Sequence, residues 1–142
     1  MSLESVITEL VDELAERDLL GALILASNSE NIADVSDDLF ATQNHKDIAG
    51  AIVHLIEHRI PVDYLELVNE LRRRSKDVSV AYISDLGTAV VLARPIARRV
   101  AYLRELAQRR LLAKLGEHLP EMAANLTMPL EDIKAMVLEV AR

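Results

Sequence analysis

The stretch AERDLLGALILASNSENI, residues 15–32, decides how the fold of this chain is understood. It is typical of a helix, because its aliphatic residues recur at spacings of three and four. Gly21 interrupts this pattern, although a glycine inside a helix costs about 1 kcal/mol relative to alanine. We therefore expect another helix to approach the backbone closely at Gly21, so that packing offsets the cost. The alternative is that the glycine is merely tolerated.

The composition indicates an ordered domain with a real core. Hydrophobic residues make up 51% and charged residues 27% of the 142 residues, a balance that disordered chains lack. The sequence has no cysteine, so disulfides, thiolate zinc sites and cysteine nucleophiles are excluded. We recognise no secretory signal and no apolar run long enough to cross a membrane. We expect a cytoplasmic protein with no membrane contact.

The charge balance argues against strong binding to DNA. The formal net charge is -7, whereas phosphate contacts need a basic face. Aromatic residues make up only 3%, so platforms for stacking single-stranded bases are scarce. We expect weak or no DNA binding by this chain.

One stretch of the sequence is basic although the chain as a whole is acidic. A contact with DNA is one interpretation of this stretch, but we favour another. We expect a solvated or inter-subunit face that pairs with the acidic N-terminal third. The cations are Arg94, Arg98, Arg99, Arg104, Arg109, Arg110 and Lys114. The acids are Glu4, Glu9, Asp12, Glu13 and Glu16.

Nearly every segment has a helical pattern, which predicts an all-α fold: a compact multi-helix head, residues 1–92, followed by a long helical hairpin, residues 93–142. In the head, residues 3–26 form one long helix or two abutting ones. Asn44 and Asp63 are expected to cap the next helices. Ser27 and Glu30 have the spacing of a capping box. The remaining predicted helices of the head are 44–59, 64–74 and 80–90.

The hairpin carries more apolar surface than one hairpin can bury. A long helix from Pro95 to about Leu119 has one stripe that ends at Leu111 and further leucines outside it, and Pro120 weakens or bends its end. Exposed apolar surface of this kind favours a two-fold contact between copies of the chain; the alternative is a monomer whose head covers everything. The residues expected at the interface are Ile96, Val100, Leu103, Leu106, Leu112, Leu115, Ile133, Met136, Val137 and Val140.

Catalytic motifs are weak. HLIEH, residues 54–58, has the spacing of a zinc hydrolase motif, but a catalytic zinc site needs a third ligand that the sequence does not offer convincingly. We interpret His54 and His58 as surface histidines and expect no metal and no cofactor. The sequence contains no phosphate loop and no nucleophile elbow, so we expect no catalysis by these 142 residues.

Several short motifs follow one another along the chain. AERDLLGAL begins at Ala15, and Phe40, His45 and Ile48 follow. PVD precedes LELVNEL, and AYISDL comes next. LREL is then followed by Ala107 and Arg110. In order and spacing these motifs resemble the N-terminal domain of DnaB-type replicative helicases, over residues 15 to 118.

Two departures from that pattern concern the start of the hairpin and the start of the chain. The family usually has Pro, Asn and Tyr where this chain has Val91, Pro95 and Arg99. The segment before Ala15 is predicted to be helical, whereas the family often has a short extended lead-in.

The resemblance implies a role in assembly and recruitment. Domains of this family pair through their hairpins, form a collar on the helicase ring and dock primase or a helicase loader. A motor domain with a phosphate loop is then expected beyond Arg142. The alternatives are the helicase-binding domain of a primase and a stand-alone helical regulator that binds the helicase.

Overall fold

The computed structural model describes residues 1–25, 32–89 and 95–142, and these ranges contain helices joined by turns and short loops, with no β-strand among them. They contain seven α-helices and two 3₁₀ turns, at Asp37–Leu39 and Gly87–Ala89. The predicted all-α class is confirmed. The helices are α1 (Leu3–Glu9), α2 (Glu13–Leu25), α3 (Gln43–Glu57), α4 (Tyr64–Arg73), α5 (Val80–Leu86), α6 (Ile96–Ala124) and α7 (Leu130–Ala141).

Internal contacts divide the chain into two compact units. Asp12–Arg104 form the head unit, and Met1–Val11 with Glu105–Arg142 form the hairpin unit. Helix α6 contributes residues to both. The expected division of the chain into a head of residues 1–92 and a hairpin of residues 93–142 remains a prediction.

Helix α3 lies at the centre of the head unit, where it packs against α2, α4 and the first 3₁₀ turn. Its buried stripe contains Ile48, Ile52 and Leu55, at the predicted helical spacing. Helix α5 packs against α2 and α4 and completes the core. The largest fully buried side chains outside the stripe are Phe40, Leu19, Leu20, Leu23, Leu39, Leu67, Leu71, Ile83 and Leu86.

The starts of the helices correct one prediction and confirm another. Asp63 caps α4 as predicted, because its carboxylate accepts from the Glu66 backbone N–H at 2.8 Å. Asn44 is not an N-cap: α3 begins one residue earlier and Thr42 precedes it. The predicted capping box of Ser27 and Glu30 lies outside the described residues.

The first predicted helix is in fact two. Helix α1 ends before Leu10 and α2 begins after Asp12. The Asp12 carboxylate accepts from the Ala15 backbone N–H at 3.0 Å, which gives α2 a cap of its own. The chain therefore follows the second of the two alternatives.

Helix α6 continues beyond its predicted end. Pro120 lies inside it, and the helix ends only at Ala124. Proline removes one backbone hydrogen bond and its ring crowds the carbonyl of the residue four positions earlier, which here is the exposed Gly116. A turn in which Asn125 accepts from the Thr127 N–H at 3.1 Å then leads to α7.

Two helices of the head end with a residue in the left-handed region that glycine prefers. Arg59 follows α3 with φ 56° and Ser75 follows α4 with φ 57°. In each case the next N–H bonds back five residues, from Ile60 to Leu55 and from Lys76 to Leu71, both at 2.9 Å. This is the Schellman arrangement, in which side chains at the left-handed position are strained.

Arg59→Gly and Ser75→Gly are each expected to raise the free energy of unfolding by about 0.5–1 kcal/mol, because glycine relieves this strain. Ser84→Gly inside α5 is the control and should lower it by a similar amount, because glycine is unfavourable inside a helix. Urea denaturation measures all three, and a destabilised Ser75→Gly variant would contradict the expectation.

Candidate functional site

The hairpin unit exposes several large apolar side chains. Among the residues predicted at the interface, Leu112 is 54% exposed, and Met136 and Val137 are also exposed. Exposed apolar side chains on two joined helices are typical of a surface that binds protein. The other predicted members in this unit are half-buried or buried: Leu106, Leu115, Val140 and Ile133.

Sequence reasoning missed Leu130 and Leu138, which are each 63% exposed. The signal was available. At 3.6 residues per turn, the apolar residues of α7 from Met136 round to Leu138 cover more than half of the helix circumference. A helix that buries only one side needs a narrower arc of apolar residues. The extra width of the apolar arc on α7 therefore indicates a second contact surface on this helix.

Three predicted interface residues belong instead to the head unit. Val100 and Leu103 are buried there, with Leu103 only 1% exposed, and Ile96 is half-buried. Val100 and Leu103 therefore contribute to the core, and the interface prediction rests on residues beyond Glu105.

The end of the first α6 stripe was predicted wrongly. Leu111 is exposed, and the position that is buried after Ala107 is Arg110. The Arg110 guanidinium donates to the Leu10 carbonyl at the end of α1, at 2.8 Å. A charged residue was not expected at a buried position, but a hydrogen bond to a free helix-end carbonyl offsets its burial.

A buried polar network connects three of the motifs in the head unit. The Glu16 carboxylate is fully buried and accepts from His45 Nδ1 at 2.8 Å and from the backbone N–H groups of Ala41 at 3.0 Å and Thr42 at 3.3 Å. His45 Nε2 lies 2.5 Å from the Tyr82 hydroxyl. The network joins α2, α5 and the segment that leads into α3.

The network fixes protonation as well as position. Burial raises the pKa of Glu16, but hydrogen bonds from His45, Ala41 and Thr42 outweigh it and hold the pKa below its ordinary value. A charged carboxylate only accepts, so His45 Nδ1 is the donor in its hydrogen bond with Glu16. Burial raises the pKa of Tyr82, which keeps this hydroxyl protonated.

The basic stretch is largely tied into the chain. Arg99 pairs with Asp18 at 2.7 Å, and Arg104 with Asp38 at 3.1 Å. Arg109 pairs with Glu105 on its own helix at 3.2 Å. Their partners are Asp18, Asp38 and Glu105, and none of these belongs to the five acids that were expected to pair with the basic stretch. Arg98 and Lys114 are exposed, and Arg94 lies outside the described residues.

The two histidines of HLIEH stack on each other, with ring centroids 4.0 Å apart. His58 is exposed, and His54 Nε2 lies 3.7 Å from the buried Glu70 carboxylate. Within residues 1–25, 32–89 and 95–142, no group of three or more histidine or acidic side chains is arranged to hold a metal. Across the same ranges, the search for a helix long and apolar enough to span a membrane found none.

Gly21 is buried in α2. The close approach of a second helix remains a prediction. Gly21→Leu is expected to lower the free energy of unfolding by about 2 kcal/mol through overpacking. Gly116→Leu is the matched control, because a Cβ built at Gly116 meets nothing within 4 Å; it should be neutral or stabilising, since leucine favours helix. A Gly21→Leu variant as stable as the wild type in urea denaturation would exclude close packing.

Comparison with known proteins confirms the resemblance to DnaB-type helicase N-terminal domains. The family model of the DnaB-like helicase N-terminal domain matches residues 8–108. The crystal structure of the N-terminal domain of DnaB helicase from Mycobacterium tuberculosis is similar in fold, with a TM-score of 0.80 and 20% sequence identity. The match covers 93% of this chain and 98% of that one. A search of curated proteins by sequence found no relative.

Proposed function

Because the chain belongs to the family of DnaB-like helicase N-terminal domains, we propose that it acts as the collar domain of a replicative DNA helicase in DNA replication. In this role it mediates assembly of the helicase ring and docks primase or a helicase loader. The domain itself carries no chemistry; the ATP-dependent unwinding belongs to the motor domain of the parent helicase.

The observation that carries this proposal is the exposed apolar surface of the hairpin unit. Leu112 and Val137 supply one part of it, and Leu130 and Leu138 supply another. We assign the first part to contact between copies of the chain and the second to the partner protein. A domain that joins both a ring and a partner needs two such surfaces, and α7 has an apolar arc wide enough to serve both.

The head unit has a supporting role in the proposal. Its Glu16–His45–Tyr82 network links α2 and α5 to α3 by hydrogen bonds. Glu16 and His45 are buried and bonded to other groups of the protein, which favours a structural role over catalysis.

Primase from the same organism is expected to bind the chain, and Leu138→Asp should weaken that binding by about tenfold or more, because burying leucine is worth about 2 kcal/mol. Leu65→Asp, at an exposed leucine of the head, is the control and should bind as the wild type does. Biolayer interferometry with immobilised chain gives both dissociation constants. Absence of primase and loader binding by the wild type would count against the docking role.

A further inference from the structure

The head unit contains a cleft of about 530 Å³ that the proposed collar role does not use. It lies between the 35–37 segment, one side of α3, and the end of α4. Its lining includes Val35, Lys46, Gly50, Val53, Arg74 and Lys76. This volume falls in the range of sites that hold a small ligand or a few side chains of a partner.

Arg74 is held in the cleft by a buried carboxylate. Its Nε donates to Glu70 at 2.9 Å, and this hydrogen bond is the main reason that the pKa of Glu70 lies below its usual range. A Cβ at Gly50 would come within 3.3 Å of Arg74 Nη1, so the glycine leaves room for the guanidinium against α3. The two terminal nitrogens of Arg74 have no hydrogen bond to any described residue.

Two lysines add to this positive charge. The left-handed turn at Ser75 directs the chain back towards α3, where Lys76 Nζ lies 3.6 Å from the Asp47 carboxylate. Lys46 is half-buried, and the described residues offer it no ion pair. Against these three cations stand Asp47, which is already paired, and the exposed Asp37. The lining of the cleft therefore carries three cations against two carboxylates, although Glu70 behind Arg74 balances one of these cations; the chain as a whole has a formal net charge of -7.

The opposite wall of the cleft is fixed by α6. Arg104 donates to the Asp34 carbonyl at 3.0 Å, to Ser36 at 3.3 Å and to both oxygens of the Asp38 carboxylate. Arg104 belongs to the LREL motif, and through these bonds it holds the segment that carries Val35. The cleft is therefore largely formed before any ligand binds, which lowers the entropic cost of binding.

We propose that this cleft binds an acidic peptide segment of a partner protein. A carboxylate of the segment pairs with Lys46 and Arg74, and a neighbouring aliphatic side chain lies against Val35 and Val53. Nucleic acid fits less well, because a phosphate chain needs an extended basic face. This cleft instead has only three cations and two carboxylates in its lining and no aromatic side chain for stacking.

The test is an NMR titration of the ¹⁵N-labelled chain with an N-acetylated, C-amidated peptide of alternating Glu and Leu. We expect amide shifts concentrated at Lys46, Gly50 and Lys76. The same peptide with Gln in place of Glu should bind about tenfold more weakly, the equivalent of one charge-assisted hydrogen bond. The chain alone is used, so the result does not depend on the proposed role in a helicase.

Lys46→Glu should weaken binding of the Glu–Leu peptide by about tenfold or more, because it reverses a charge that contacts the carboxylate. Arg109→Glu is the control: it makes the same charge change at an exposed site of the hairpin unit, and should alter the dissociation constant less than twofold. Arg104→Ala should also weaken binding of the peptide, because it removes the hydrogen bonds that hold the segment carrying Val35.

Three results would overturn the proposal. The first is that amide shifts lie outside the cleft, or that none occur at millimolar peptide. The second is that Lys46→Glu and Arg109→Glu weaken binding of the peptide equally. The third is that a single-stranded 12-mer DNA binds in the cleft more tightly than the peptide does.

Discussion

Glu16→Met is expected to lower the free energy of unfolding by about 4 kcal/mol. Methionine nearly matches glutamate in size, so the change leaves little cavity but removes the acceptor for one buried and two half-buried donors. These are His45 Nδ1 and the N–H groups of Ala41 and Thr42. Each buried donor left without a partner costs about 1–3 kcal/mol.

Urea denaturation at neutral pH measures this loss, and Glu13→Met is its control. Glu13 lies one turn earlier on the same helix and is exposed, so its replacement should change stability by less than about 0.5 kcal/mol. Adding His45→Leu to Glu16→Met should cost less than the sum of the two single changes, because they remove one shared interaction. A loss below about 1 kcal/mol for Glu16→Met would show that the network does not hold the head together.

Acid provides a second measurement of the same network. The pKa of Glu16 is lowered from its ordinary value of 4.5 in the folded chain. A carboxyl with a lowered pKa contributes stability above its unfolded pKa, and that contribution is lost as the pH falls through the folded value. Between neutral pH and about pH 3, the wild type should therefore lose more stability than Glu16→Gln, which has no charge to lose.

Leu112→Asp is expected to raise the dissociation constant of the homodimer by about 100-fold or more. We propose that Leu112 becomes buried where two hairpins meet, and an unpaired charge there costs several kcal/mol. In the single chain Leu112 is more than half exposed, so the monomer should keep its fold. Val137→Asp on α7 should act in the same direction.

Leu65→Asp separates a specific effect from a general one. Leu65 is also an exposed leucine on a helix, but it lies in the head, so the same substitution there should leave the dimer intact. Size-exclusion chromatography with light scattering gives the mass of each variant, and circular dichroism confirms that each is folded. If Leu65→Asp weakened the dimer as much as Leu112→Asp does, the effect would not be specific to the hairpin.

Much of the helical architecture is predictable from local signals. Asp63 at the start of α4, and the helical spacing of Ile48, Ile52 and Leu55, are read directly from neighbouring residues. The break between α1 and α2 is less clear, because Asp12 is one of several acidic residues in a continuous helical pattern. In the structure the chain forms two helices here, and the Asp12 carboxylate caps the second by accepting from the Ala15 N–H.

The polar interior is not predictable in the same way. Glu16, His45 and Tyr82 stand in three motifs of the sequence, yet nothing local indicates that their side chains meet. The burial of Arg110 is hidden for the same reason, since its acceptor at Leu10 is 100 residues away. Long-range hydrogen bonds decide where these polar side chains lie, and hydrophobic periodicity contains no information about them.

Sedimentation equilibrium of the unmodified chain over a concentration series tests the central claim most directly. The claim is that this helicase N-terminal domain associates through its hairpin. The account predicts a reversible dimer whose mass rises towards twice the 15.8 kDa of one chain, with Leu112→Asp remaining near the monomer mass at the same concentrations. A wild-type chain that stays monomeric at the highest concentration, or a Leu112→Asp variant that dimerises as the wild type does, would contradict it.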